Sequence, residues 1–167
     1  LQASVGDLQG AKDALQQDKS SLMKDLEARE ARVKELEAAI AARDAKANAL
    51  KNKLSQALLG FESSDLSVEM RDGKVYVSLS QNLLFSSGSA KLDSKGAEAI
   101  AKLAKVLQSN KGINVLVEGH TDSDGEDKLN WKLSTERSLS IVYQLIKNEV
   151  APKRITAAGR GEHVPIA

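Results

Sequence analysis

From Leu1 to Leu59, apolar side chains return every three or four residues along two seams. One seam carries Leu1, Leu8, Leu15, Leu22, Arg29, Leu36, Arg43, Leu50 and Ala57; the other carries Val5, Lys12, Lys19, Leu26, Val33, Ile40, Ala47 and Leu54. A 3.5-residue repeat sustained over about eight heptads predicts a coiled coil. No Pro interrupts it, and the dominant Ala, Lys, Glu, Leu, Gln and Asp favour helix. At about 1.5 Å per residue the helix would reach on the order of 85 Å, which suits a stalk better than a helix buried in a small domain. Leu in one seam with Val and Ile in the other leans towards a parallel dimer, but Lys12, Lys19, Arg29 and Arg43 weaken both seams and leave the oligomeric state open. Flanking charges do not decide it. Arg32 and Glu37 would attract across a parallel dimer, while Asp25 and Glu30, or Lys46 and Lys51, would repel. A solitary, solvated amphipathic helix is the alternative.

After Gly60 and Phe61 the period changes to two. Residues 66–71 (LSVEMR) and 75–80 (VYVSLS) alternate apolar and polar around Asp72-Gly73, a pattern that predicts a β-hairpin. From Asp93 the spacing of Ile100, Leu103, Ala104 and Leu107 predicts a helix to Ser109, with Asp93 or Ser94 as N-cap. A strand follows at 113–119, a polar loop HTDSDGEDK, a helix from about Asn130 to Asn148, and a last short strand at 154–161. The expected architecture is α+β: a coiled-coil helix over 1–60, then over 61–167 a two-layer βαβαβ domain with a mixed sheet covered by two helices.

Composition narrows the function classes. With 24 Lys plus Arg against 23 Asp plus Glu, the net charge of +1 offers no basic excess for nucleic acid. The absence of Cys excludes disulfides, thiolate zinc sites and a Cys nucleophile. No apolar run approaches the roughly 20 residues of a membrane-spanning helix. The start at Leu1, with no initiator Met or leader pattern, is read as placing any targeting or lipidation segment upstream. A membrane-surface helix is disfavoured, because residues 1–59 carry ten basic and nine acidic side chains and no Trp or Phe anchor.

The candidate chemistry lies in the loop GHTDSDG at 119–125, at the carboxyl end of a strand, where ligand crevices form in sheets of this kind. Thr121, Asp122 and Asp124 sit together there, and the next helix supplies Asn130, Ser134 and Arg137 on one face. An Asp can take an ammonium and an Arg can fork onto a carboxylate, so the pair can clamp a zwitterion such as a free amino-acid terminus. The same two residues can instead form an internal salt bridge. His120 with scattered carboxylates makes a poor metal ligand set, and His163 lies in a different loop, so neither metal nor cofactor is expected. Ser86, Ser87 and Ser89 around Gly88 lack a nucleophile-elbow pattern, which argues against a hydrolase and for a non-enzymatic role.

The runs LLFSSGSAKL, VEGHTDSDG, NWKLSTERS and RITAAGRGEHVPIA resemble the outer-membrane-protein-A-like peptidoglycan-binding domain, the family of peptidoglycan-associated lipoprotein and the stator protein MotB. The match spans about residues 75–167, and its most specific part is G-H-T-D, then Gly, Asn, L-S and Arg in register. The resemblance implies binding of the wall's stem peptide without cleavage, with Asp122 and Arg137 gripping diaminopimelate. Thr121, Asp124 and Asn130 would neighbour them, and Ser87-Gly88 would form the opposite wall. It further implies a periplasmic tether associated with the outer membrane of a Gram-negative bacterium, anchored upstream. Members of that family usually run on into a final strand beyond the point where this sequence stops. A scaffold acting mainly through its coiled coil, by self-association or with an envelope partner, is the other functional class.

Overall fold

The computed structural model describes residues 2–164, with side chains from Gly6 onward. Leu1 and the Val5 side chain of the predicted seams, and Pro165 to Ala167 of the last motif, lie outside the described residues. Two compact units are present, Leu1–Lys46 and Ala47–Ala167.

Helix α1 runs over Gln2–Ala57. In the first unit its seam residues are solvent-facing: Leu8, Leu15, Leu22, Leu26, Val33, Leu36 and Ile40 are all exposed. In the second unit the same seam is covered, since Ala47, Leu54 and Leu58 are buried and Leu50 packs against the core. The expected division near residue 60 therefore differs from the observed packing, which draws the last three turns of α1 into the second unit. Gly60, just past the helix, takes φ +99°, a backbone conformation that favours glycine.

Strands β1 (Leu66–Arg71) and β2 (Lys74–Leu79) form the predicted antiparallel hairpin, with Leu66 opposite Leu79 and Arg71 opposite Lys74. Asp72 and Gly73 both take positive φ, 51° and 71°, as a two-residue turn matched to strand twist requires. A four-residue helix α2 (Gln81–Leu84), which the periodicity does not reveal, follows because the Ser80 hydroxyl accepts from the Leu83 amide and caps it. Helix α3 (Ser94–Ser109) starts after Asp93, strand β3 spans Val115–Gly119, helix α4 spans Asp127–Lys147, and β4 spans Ile155–Gly159 after a 3-10 turn at Pro152–Arg154.

The α+β class holds, with one change in the sheet. Among the described residues the strands form two separate ladders, β1–β2 antiparallel and β3–β4 parallel with Val115 opposite Ile155 and Gly119 opposite Gly159, and not one mixed sheet. Each ladder is closed by its own local connection, a two-residue turn in one case and the α4 crossover in the other. Leu84, Phe85, Ile100, Leu103, Leu107, Val117, Leu145 and Val150 join Leu54 and Leu58 in a single core. Arg154 secures the far end: its guanidinium donates to the carbonyls of Leu107, Asn110 and Ile113 and satisfies the last turn of α3.

Close approach of α4 to the parallel ladder depends on two glycines. A Cβ on Gly119 would overlap the Ser134 carbonyl, and one on Gly159 would overlap the Thr135 hydroxyl and lie 2.8 Å from Ser134 Oγ. The first obstacle is backbone and cannot rotate aside. Gly119→Ala is therefore expected to cost about 1–3 kcal/mol or more in urea unfolding. Gly112→Ala, whose Cβ would meet nothing within 4 Å, should stay within about 0.5 kcal/mol of the parent.

Candidate functional site

The ladder delivers its residues to one end of the unit. Beyond β3 and β4 the two chains stay bonded, with Arg160 N–H donating to Gly119 O at 2.9 Å and Thr121 N–H to Gly161 O at 3.0 Å. Ser134, fully buried on α4, clips this corner together: its hydroxyl accepts from Gly161 N–H at 3.0 Å and donates to Trp131 O at 3.0 Å. The loop 119–125 is thereby held over the first turns of α4.

Asn130 organises that loop. Its side-chain amide donates to Asp122 O at 3.3 Å, to Asp124 O at 3.1 Å and to Glu162 Oε2 at 2.7 Å. Buried itself, Asn130 leaves the Asp122 and Asp124 side chains exposed. The Thr121 hydroxyl oxygen is buried and has no hydrogen-bond partner among the described residues.

Two turns further along α4, Arg137 is 3% exposed. Its Nε donates to Ser89 O at 3.0 Å, its Nη1 donates to Gln81 Oε1 at 2.9 Å, and its guanidinium lies 5.3 Å from the centre of the Phe85 ring. Both acceptors are neutral. No carboxylate lies within ion-pair distance of Arg137 among the described residues, so the internal salt bridge with Asp122 does not form. Burial lowers the pKa of the guanidinium, and the field of Asp122 partly offsets this. Asp122 is thus near enough to be felt, yet does not close on the cation. Nη2 has no protein acceptor among the described residues.

The structure brings Thr121, Asp122, Asp124 and Asn130 into one corner and links Arg137 to the turn at 86–89. In that turn Ser87 and Gly88 are exposed, with Gly88 at φ +66°, and it is the carbonyl of Ser89 that touches Arg137. Sequence reasoning missed three contributors. Gln81 sits 56 residues from Arg137, Ser89 acts through its backbone, and Glu162 reaches Asn130 across 32 residues. A side-chain motif can reveal none of these pairings. Both histidines hold the neighbouring segment: His163 Nε2 lies 2.7 Å from Asp127 Oδ1, with its ring 5.6 Å from Trp131, and His120 Nδ1 lies 2.8 Å from Val164 O.

Residues 84–167 match the OmpA family, and the chain belongs to it. It is similar to outer membrane porin F of Pseudomonas fluorescens, 46% identical over 68 residues that cover 41% of this chain and 21% of that protein. Over 116 residues it is 28% identical to the peptidoglycan-associated lipoprotein of Buchnera aphidicola, covering 70% of this chain and 65% of that protein. The chain spans less than two thirds of the length of either relative. Among solved structures it is similar to the cell wall anchor of the T6SS from Pseudomonas aeruginosa, with a TM-score of 0.59, 28% identity, and coverage of 71% of this chain and 82% of that one.

A buried cation held only by neutral oxygens contributes little to folding. Replacement by an apolar side chain of similar length, Arg137→Met, is expected to leave urea stability within about 1 kcal/mol of the parent or above it. A loss well beyond that would make Arg137 a structural residue.

Proposed function

We propose that this OmpA-family chain binds the stem peptide of peptidoglycan without cleaving it, and that Arg137 and Asp122 together grip a diaminopimelate residue. Arg137 takes the carboxylate and Asp122 the ammonium of the zwitterionic end. Thr121 lies beside the pair, Asn130 and Asp124 hold the loop in shape, and the turn with Ser87 and Gly88 closes the other side. The observation that carries this reading is the buried Arg137, bonded to Gln81 and Ser89 and, among the described residues, without a carboxylate within ion-pair distance. A guanidinium in that state gains most from a ligand carboxylate, because the contact is charge-assisted and already partly desolvated.

The names of the similar proteins point the same way: one is a peptidoglycan-associated lipoprotein and another a cell wall anchor. The chain would then tether the outer membrane or an envelope complex to the wall from within the periplasm. A modest grip on each stem peptide suffices for a tether, because the wall repeats its ligand many times. The second reading, an envelope scaffold working through α1, is favoured by the exposed apolar side chains of Leu8 to Ile40.

Co-sedimentation with purified sacculi tests the proposal. The parent chain should pellet, and Arg137→Met and Asp122→Asn should each lose at least about tenfold in affinity, the loss of one charge-assisted contact. Circular dichroism of both variants should remain that of the parent. Sacculi carrying lysine in place of diaminopimelate lack the second carboxylate and should bind more weakly. Equal pelleting of all three proteins would remove Asp122 and Arg137 from the site, and release of soluble muropeptides would make the protein an enzyme.

A further inference from the structure

The seam of α1 is used up at one end and unpartnered over the rest. Ala47, Leu54 and Leu58 are buried within the second unit, but between Leu8 and Ile40 every large apolar seam residue is exposed, from 71% at Leu8 to 48% at Leu36. With Lys12, Lys19, Leu26, Val33 and Ile40 at the a positions, the d positions are Leu8, Leu15, Leu22, Arg29, Leu36 and Arg43. β-Branched Val33 and Ile40 at a, with Leu at d, is the combination that selects two parallel strands.

The four cations in the seam identify the occupant. In a parallel, in-register pair, a side chain at a enters a hole bordered by the other strand's preceding g residue. One at d enters a hole bordered by the following e residue. Lys19 then meets Asp18 of the second copy, Arg29 meets Glu30, and Arg43 meets Asp44. Three of the four seam cations thus meet a carboxylate of a second copy in register. The contact is within reach, because Arg43 already turns onto Asp44 of its own chain, with Nε and Nη2 at 3.0 and 2.9 Å from Oδ1. Lys12, preceded by Ala11, has no such neighbour.

We propose that residues 8–43 of α1 pair with a second copy of the same chain as a parallel, in-register, two-stranded coiled coil. Arg32 attracts Glu37 across this interface, and Arg29 offsets the repulsion between Asp25 and Glu30 by facing Glu30 as well. The repelling pair Lys46 and Lys51 lies beyond the paired stretch, and Lys51 belongs to the second unit. An antiparallel pair sets a against d and forfeits the three matched charges. The pairing gives each particle two copies of the Ala47–Ala167 unit, which would multiply a modest grip on a repetitive ligand.

The absence of Cys makes the test direct. The Leu1–Ala167 chain should sediment at micromolar concentration with twice its 17.9 kDa mass. Leu15→Cys and Leu36→Cys, made separately, should each oxidise to a disulfide-linked dimer, since d faces d only in a parallel, in-register pair. Arg29→Glu should weaken dimerisation about tenfold or more, and Arg29→Glu combined with Glu30→Arg should restore it, because the pair is complementary in either order. Fluorescence of the single Trp131, which lies in the second unit, should be unchanged throughout and shows that the unit is intact. A monomer, a trimer, failure of either cysteine to cross-link, or indifference to Arg29→Glu would overturn the proposal. A chain that dimerises only with an acidic helix from another protein would do so as well. None of these readouts depends on wall binding.

Discussion

A guanidinium withdrawn from water loses several kcal/mol of hydration, by about the amount typical of buried ions in proteins. A fold normally recovers this with a carboxylate. At Arg137 the recovery comes from the Ser89 carbonyl, the Gln81 amide oxygen and the face of Phe85, all uncharged, and Asp122 acts on the cation only at a distance. The rest of the second unit can be understood as what is needed to hold a cation in that unfinished state. If Arg137 were free to swing, its contacts to Ser89 O and Gln81 Oε1 would be lost.

Three features prevent that. Gly119 and Gly159 let α4 sit against the parallel ladder more closely than any side chain would permit, which fixes the helix that carries Arg137. Ser134, one turn earlier, bonds Gly161 and so ties the same helix to the strand corner. Asn130, one turn earlier again, spends its amide hydrogens on the carbonyls of Asp122 and Asp124 and on Glu162, which sets the loop backbone while leaving the acidic side chains in solvent. The residues at 130, 134 and 137 form one face of α4 with three distinct tasks. In the same corner the buried Thr121 hydroxyl has no hydrogen-bond partner among the described residues.

Much of this was legible in the sequence where the controlling physics is local. The hairpin follows from Asp72-Gly73, since only that turn chemistry tolerates two positive φ values in succession. The α3 and α4 helices follow from periodicity, although α4 begins at Asp127, three residues before the first expected one. Non-local choices were hidden. Whether four strands join one sheet or two ladders depends on partners distant in sequence, and α2 is too short to show a period. At the site, Asp122, Asn130 and Arg137 stand out by spacing and by resemblance. Gln81 and the Ser89 carbonyl are found only through tertiary contact. The seam of α1 was visible at once, but the burial of Ala47, Leu54 and Leu58 by the second unit, which limits where another helix can lie, was not.

Under the proposed function, Arg137 is kept buried and incompletely paired so that it can receive a ligand carboxylate. Nitrogen-15 NMR of the arginine side chains, during titration with a soluble stem peptide ending in diaminopimelate, reports on the Arg137 guanidinium. The Arg137 Nε–H resonance should shift and saturate with ligand, and in Asp122→Asn the same shift should need a higher ligand concentration. An Arg137 resonance that stays in place while peptide binds elsewhere would contradict it.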